Sequence, residues 1–195
     1  AVELAHRDYD VVGLDINDRY IALARQLAER EGVRATFLTG DMREIPFESH
    51  FDAIINVGTS FGFFDSEGEN RRVVKAVAKA LKPRGVFLLE MGNRDYYLKN
   101  FRTKDWRRIE SGRVTIIQNE FDYVRGRIGV VFERLGGEGV ERWTHSWRAY
   151  TLVEVVAMLQ KAGLALSCVY GGWEREKYSV DSRRMVIVSE RKGSG

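Results

Sequence analysis

Four short apolar runs, at residues 11–15, 35–39, 51–57 and 86–91, constrain the fold more than anything else in this chain. Each is too short for a helix of ordinary length, and each lacks the alternation of a strand with one wet face. Such runs read as strands buried on both faces of a sheet. Stretches with helical periodicity separate most of them, so successive strands run parallel and are joined by crossovers. The expected architecture is α/β, a doubly wound and mostly parallel sheet with helices on both faces. In such sheets ligands collect beyond the carboxyl ends of the strands. Here those ends carry Asp15, Asp41, residues 56–58 and residues 90–93, where the polar residues of the first half concentrate.

The connecting segments carry their own signals. Residues 1–6 read as the last turns of a helix. Asn17 or Asp18 is placed to cap a helix with Ile21, Ala24, Leu27 and Ala28 on one face, closed by Gly32. Asp65 or Ser66 opens another, turning Val73, Val77, Ala80 and Leu81 inward. Lys82-Pro83-Arg84-Gly85 then turns the chain into the fourth strand. After Tyr96 the pattern changes to three strands, at 114–124, 128–135 and 140–150, joined by hairpin turns at 125–127 and 136–139. The chain closes with a helix opened by the capping box Thr151-Leu152-Val153-Glu154 and two strands at 164–170 and 184–190. One domain is expected. Its core spans 1–93 and 150–191, with an inserted antiparallel meander at 94–149 and a tail at 192–195.

Composition narrows the class. The net charge of +3 is too small to demand a polyanionic partner. The single cysteine, Cys168, excludes a disulfide framework, and with three scattered histidines it gives no metal-ligand spacing. A reducing cytoplasm is the expected compartment, and no apolar run is long enough for a membrane span.

The order and spacing of several stretches resemble the class I S-adenosylmethionine-dependent methyltransferases, particularly their small-molecule branch. The matching residues are Asp10-Val11-Val12-Gly13-Leu14-Asp15, Gly40-Asp41-Met42-Arg43-Glu44-Ile45-Pro46, Phe51-Asp52-Ala53-Ile54-Ile55-Asn56 and Ala80-Leu81-Lys82-Pro83-Arg84-Gly85. Tyr150-Thr151, Ala162-Gly163 and the closing strand pair also resemble that family's last third. The resemblance covers almost the whole chain, most weakly at 94–148. It implies a Rossmann-like sheet with an antiparallel last strand, S-adenosylmethionine as cofactor and transfer of its methyl group to a small-molecule acceptor. It also implies roles: Asp15 on the ribose hydroxyls, Ile16 against the adenine, Asp41 accepting from the adenine amino group and Met42 packing on the ring. Asn56, Val57 and Gly58 would lie near the methionine end. Phe61, Phe64, Asn93, Trp143 and Trp147 would face the acceptor.

The family's first strand and its glycine-rich loop would lie ahead of Ala1, and this sequence does not contain them. The first strand would pair centrally, between the strands at 11–15 and 51–57, so the sequence reads as part of a longer polypeptide. Two rival readings remain. A short-chain NAD-dependent dehydrogenase also uses an acid after its second strand, but no tyrosine here has a lysine four residues on. A non-catalytic methyltransferase-like binding module is the other. Alternation in the third meander strand sets Trp143, His145 and Trp147 on one face, which makes His145 a candidate general base beside the reading of a packed sheet face. The basic segment 99–113, with Phe101 and Trp106, reads first as a solvated helix or lid and second as an RNA-binding surface.

Overall fold

A computed structural model describes residues 1–108, 113–136 and 139–193. The remainder of the 136–139 turn, of the basic segment and of the tail lies outside the described residues. In chain order the elements are α1 (Val2–Ala5), β1 (Val12–Asp15), α2 (Asp18–Arg30), β2 (Thr36–Thr39), β3 (Phe51–Asn56), α3 (Glu67–Ala80) and β4 (Leu81–Gly92). They continue as α4 (Arg94–Lys99), β5 (Lys104–Arg108), β6 (Val114–Asp122), β7 (Arg127–Gly136), β8 (Gly139–Arg148), α5 (Leu152–Lys161), β9 (Leu164–Tyr170) and β10 (Arg184–Arg191). No helix among the described residues is long and apolar enough to cross a membrane.

The caps fall where short polar side chains meet apolar periodicity. Asn17 accepts from the backbone N–H groups of Arg19 and Tyr20, while Ser66 with Glu69 and Thr151 with Glu154 form complete capping boxes. Strand pairing is α/β as expected, parallel for β1 with β2 and for β3 with β4, antiparallel for β10 with both β4 and β9.

The sheet is interrupted. β1 pairs only with β2, and β3 heads a second sheet in the order β3-β4-β10-β9. No strand among the described residues bridges β1 and β3, so each leaves one edge without a ladder. Burial follows from this. The run at 51–57 was expected to be covered on both faces, yet Ile55 is 49% exposed and Val57 43%. Leu23 and Leu27 of α2 are exposed as well, because a two-stranded sheet is too narrow to cover the whole apolar face of a helix. The main core joins α3, β4, α5 and β10 around Val73, Leu81, Leu89, Leu159 and Ile187, all fully or almost fully buried. A separate small core, Ile21, Ala28 and Phe37, serves α2 and its two strands.

Between the two sheets, residues 41–50 run along α3. Three ion pairs hold them there: Arg43 to Glu69, Glu44 to Arg72, and Glu48 to Lys79. Glu69 and Arg72 are about one turn apart on the helix, and Lys79 stands about two turns further on.

The inserted sheet has four strands, in the order β5-β6-β7-β8, rather than three. Its extra strand, β5, occupies the middle of the segment 99–113 where a helix or lid was expected, and helix α4 ends at Lys99. Lys104, Arg107 and Arg108, three of the charges that suggested a solvated helix, are those of an edge strand, where lysine and arginine discourage further pairing.

Candidate functional site

The end of β1 presents a carboxylate to solvent. Asp15 is exposed, and its Oδ1 accepts from the backbone N–H of Asn17 at 2.8 Å. It does not cap α2, a role Asn17 fills, so the rest of its hydrogen-bonding capacity is open. Ile16 follows, 70% exposed, an isoleucine that no neighbouring element covers.

The loop after β2 departs from the expected roles. The resemblance assigns Asp41 to the adenine amino group; the structure instead commits the carboxylate to Arg43. The Arg43 Nε lies 3.0 and 2.9 Å from the two carboxylate oxygens, and the Arg43 backbone N–H donates to Oδ1 at 2.8 Å. Arg43 Nη2 donates to Oδ2 as well, so three N–H groups of Arg43 converge on the carboxylate. The Arg43 hydrogen bonds hold the Asp41 carboxyl below the usual carboxylate range. The turn so fixed carries Met42, whose sulfur lies 3.7 Å from Asn56 Nδ2.

Strand β3 ends at Asn56, whose Oδ1 is buried and has no hydrogen-bond partner among the described residues. A buried acceptor without a donor is costly, about 1–3 kcal/mol, and marks a place where a donor is wanted. Gly58 follows at φ +77°, with open space where a Cβ would be. Thr59 is also left-handed at φ +59°, a conformation that costs a β-branched residue about 1–3 kcal/mol. Glu90, buried at the end of β4, holds this strained turn by accepting from the Gly58 N–H at 2.8 Å. Its other oxygen lies 3.4 Å from Arg184. The sequence marks residues 90–93 only as a strand end; the link from Glu90 to Gly58 joins groups 32 residues apart and needs the β3–β4 register to be seen.

Beyond Gly58 the loop meets the inserted sheet. The β7–β8 register pairs Ile128 with Trp147, Val130 with His145 and Phe132 with Trp143, so the two tryptophans and the histidine share one face, as alternation implied. Phe63, 43% exposed, lies against this face with its ring 6.3 Å from Trp147 and 6.4 Å from His145. Tyr97 of α4 approaches Trp147 from another side at 6.3 Å. Trp143 stacks on Phe132 at 5.2 Å, with Arg134 over its ring. His145 is exposed and makes no hydrogen bond among the described residues.

Three of the residues expected to face an acceptor do other work. Phe61 is fully buried against Tyr150, and Phe64 packs on the main core with Arg43 over its ring. Asn93 is 1% exposed. It donates to the carbonyls of Ser179 and Ser182 and accepts from the Asp95 N–H and the Tyr178 hydroxyl. Its amide pins the 171–183 loop to β4 and has no group left for a ligand. The aromatic that faces outward from this loop is Phe63; a run of three phenylalanines in four residues gives no periodicity to separate it from its neighbours.

The base of the inserted sheet is fixed by Arg148, which donates to Glu67 at the start of α3, to Glu154 at the start of α5 and to the Gly126 and Ala149 carbonyls. Its backbone N–H donates to the Gly62 carbonyl at 2.8 Å. Tyr150 donates its hydroxyl proton to Glu67 at 2.9 Å; burial, and then the Glu67 charge, push its pKa well up. Burial would raise Glu154, but hydrogen bonds from Thr151 and the Arg148 cation outweigh it and hold that carboxyl below its ordinary value.

Comparison with known proteins agrees with this geometry. Residues 1–85 match a family model described as a methyltransferase domain. The putative methyltransferase YqeM of Bacillus subtilis is 23% identical over 197 residues, covering 98% of this chain and 79% of that protein. The CcbJ methyltransferase of Streptomyces caelestis superposes with a TM-score of 0.88 at 18% identity, over 100% of this chain and 79% of that one. The S-adenosylmethionine-bound amino pentose methyltransferase CalS10 of Micromonospora echinaspora does so with a TM-score of 0.64 at 25% identity, over 94% and 74% of the two chains. Residues 1–85 thus carry the methyltransferase-domain match and the whole chain has the fold of S-adenosylmethionine-dependent methyltransferases, with S-adenosylmethionine as the cofactor.

Proposed function

We propose that this methyltransferase acts on a small-molecule acceptor held between the 58–65 loop and the aromatic face of the inserted sheet. The observation that carries this reading is that Phe63, Tyr97, Trp147 and His145 converge beside the strand ends. A concave aromatic surface with a few polar groups suits a small ligand. The acceptor of CalS10, an amino pentose, is of this size.

The strand ends fit the cofactor's nucleoside half. Asp15 has an open oxygen for the ribose hydroxyls, Ile16 an exposed face for the adenine, and Met42 a turn that Asp41 and Arg43 hold in place. The unpartnered Asn56 Oδ1, Val57 and the open Gly58 border the methionine end. Bound S-adenosylmethionine supplies an already activated methyl group, so the protein's task is alignment, which can contribute roughly 7–11 kcal/mol. Phe63 and Trp147 present ring faces that attract a sulfonium charge by cation–π interaction. His145, which makes no hydrogen bond among the described residues, would take a proton from an acceptor that must lose one. The lone Cys168 suits a reducing cytoplasm.

Two measurements test this. Asp15→Ala should weaken S-adenosylmethionine binding in calorimetry by about 10- to 100-fold, the value of hydrogen bonds to a charged group. Methyl transfer from labelled cofactor should appear in a panel of small amines, alcohols and acids; incorporation confined to RNA or protein would refute the small-molecule reading.

A further inference from the structure

A cleft of about 870 Å³ lies away from the strand ends, between the outer faces of α3 and α5 and beneath the β6–β7 turn. Its lining carries six cations: Arg71 and Lys75 of α3, Arg125 and Arg127 at the β6–β7 turn, Arg148, and Lys161 at the end of α5. Only three carboxylates line it, Asp65, Glu67 and Glu154. The excess of three positive charges equals the net charge of the whole chain, so the rest of the molecule is neutral in sum.

The carboxylates are already engaged. Glu67 and Glu154 bind Arg148, and Asp65 lies 3.4 Å from Arg127. Arg71, Lys75 and Lys161 make no ion pair among the described residues, and Arg125 has only Asp122, at 4.0 Å. Arg71 and Lys75 are four residues apart on one helix and therefore neighbours on its surface. Lys161 faces them from the opposite wall, and Arg125 stands above. Uncompensated cations arranged around one cavity raise the local concentration of anions, and several that converge favour an anion with several charges. A single carboxylate would leave most of them unanswered. The cavity is of the size that encloses a small molecule.

We propose that this cleft is a binding site for a small polyanion with linked phosphate groups, separate from the methyl-transfer site. Arg71, Lys75 and Lys161 hold its charges, whereas the Arg148 cation on the floor is already engaged by Glu67 and Glu154. The site also touches the 58–65 loop from behind, through the Arg148 N–H on the Gly62 carbonyl and Arg127 Nη1 on the Phe64 carbonyl at 2.9 Å.

The test is calorimetric titration of the full chain with tripolyphosphate and, at matched ionic strength, with monophosphate, both with saturating S-adenosylmethionine present. The expected result is saturable 1:1 binding of tripolyphosphate, with monophosphate weaker by about tenfold or more. Arg71→Gln combined with Lys161→Gln should weaken tripolyphosphate binding by about tenfold or more. Arg72→Gln, which removes a charge from the same helix outside the cleft, should leave it unchanged. These side chains are exposed, so the variants keep the fold, which circular dichroism confirms independently. Absence of saturable binding, binding unaltered in the double variant, or an equal loss in Arg72→Gln would each overturn the proposal.

Discussion

Among single residues, Asp41 and Asn93 show how a polar side chain at a strand end can be committed to the protein rather than to a ligand. The Asp41 carboxyl is held below its ordinary range by Arg43, so its pairing stabilises the fold fully above the unfolded-state value near 4. That contribution disappears as the pH falls through the lower folded-state value. Asp41→Asn should therefore cost about 1 kcal/mol at neutral pH, and the difference from the parent should vanish in strong acid; urea unfolding at a series of pH values measures it. Asp15, Ile16, Asn56 and Gly58 were legible as strand-end positions because each stands at or just beyond the end of a short apolar strand. Asn93 follows a strand too, but its partners lie 86 and 89 residues on, and nothing in its local sequence separates a buried pin from a ligand contact. Glu90 escaped for the same reason, and Phe63 because its neighbours Phe61 and Phe64 are chemically identical to it.

Helices and strands were read with fewer errors than side chains. Capping residues and apolar runs are local, so the helices α2, α3 and α5 begin where their caps stand. β5 was missed because an edge strand with outward charges has no apolar alternation to show. The junction of α3, β8 and α5 depends on Arg148, whose side chain is 14% exposed and joins the first turns of both helices. Arg148→Met should lower stability by about 2–3 kcal/mol, since it leaves two half-covered carboxylates without their cation. Arg72→Met, which removes an exposed pair on the same helix, should cost well under 1 kcal/mol; paired urea or thermal unfolding curves distinguish them.

Across the whole molecule the principal fact is the interrupted sheet. The alternation of strands and helices conveyed the direction of the parallel strands, and the resemblance set a further strand between those at 11–15 and 51–57, so the gap between β1 and β3 was expected. The β1–α2–β2 unit has a core of only a few residues, and residues 41–50 fasten it to α3 through one half-buried and two exposed ion pairs, the latter screened by salt. Hydrogen exchange should therefore be faster in β1, α2 and β2 than in β4 and β10, and raising the ionic strength should widen the gap. Ile16 and Asp15 ride on that unit, whereas Phe63 and Trp147 belong to the other. The two halves of the candidate site thus stand on separate cores, with the ion pairs of residues 41–50 among the ties between them.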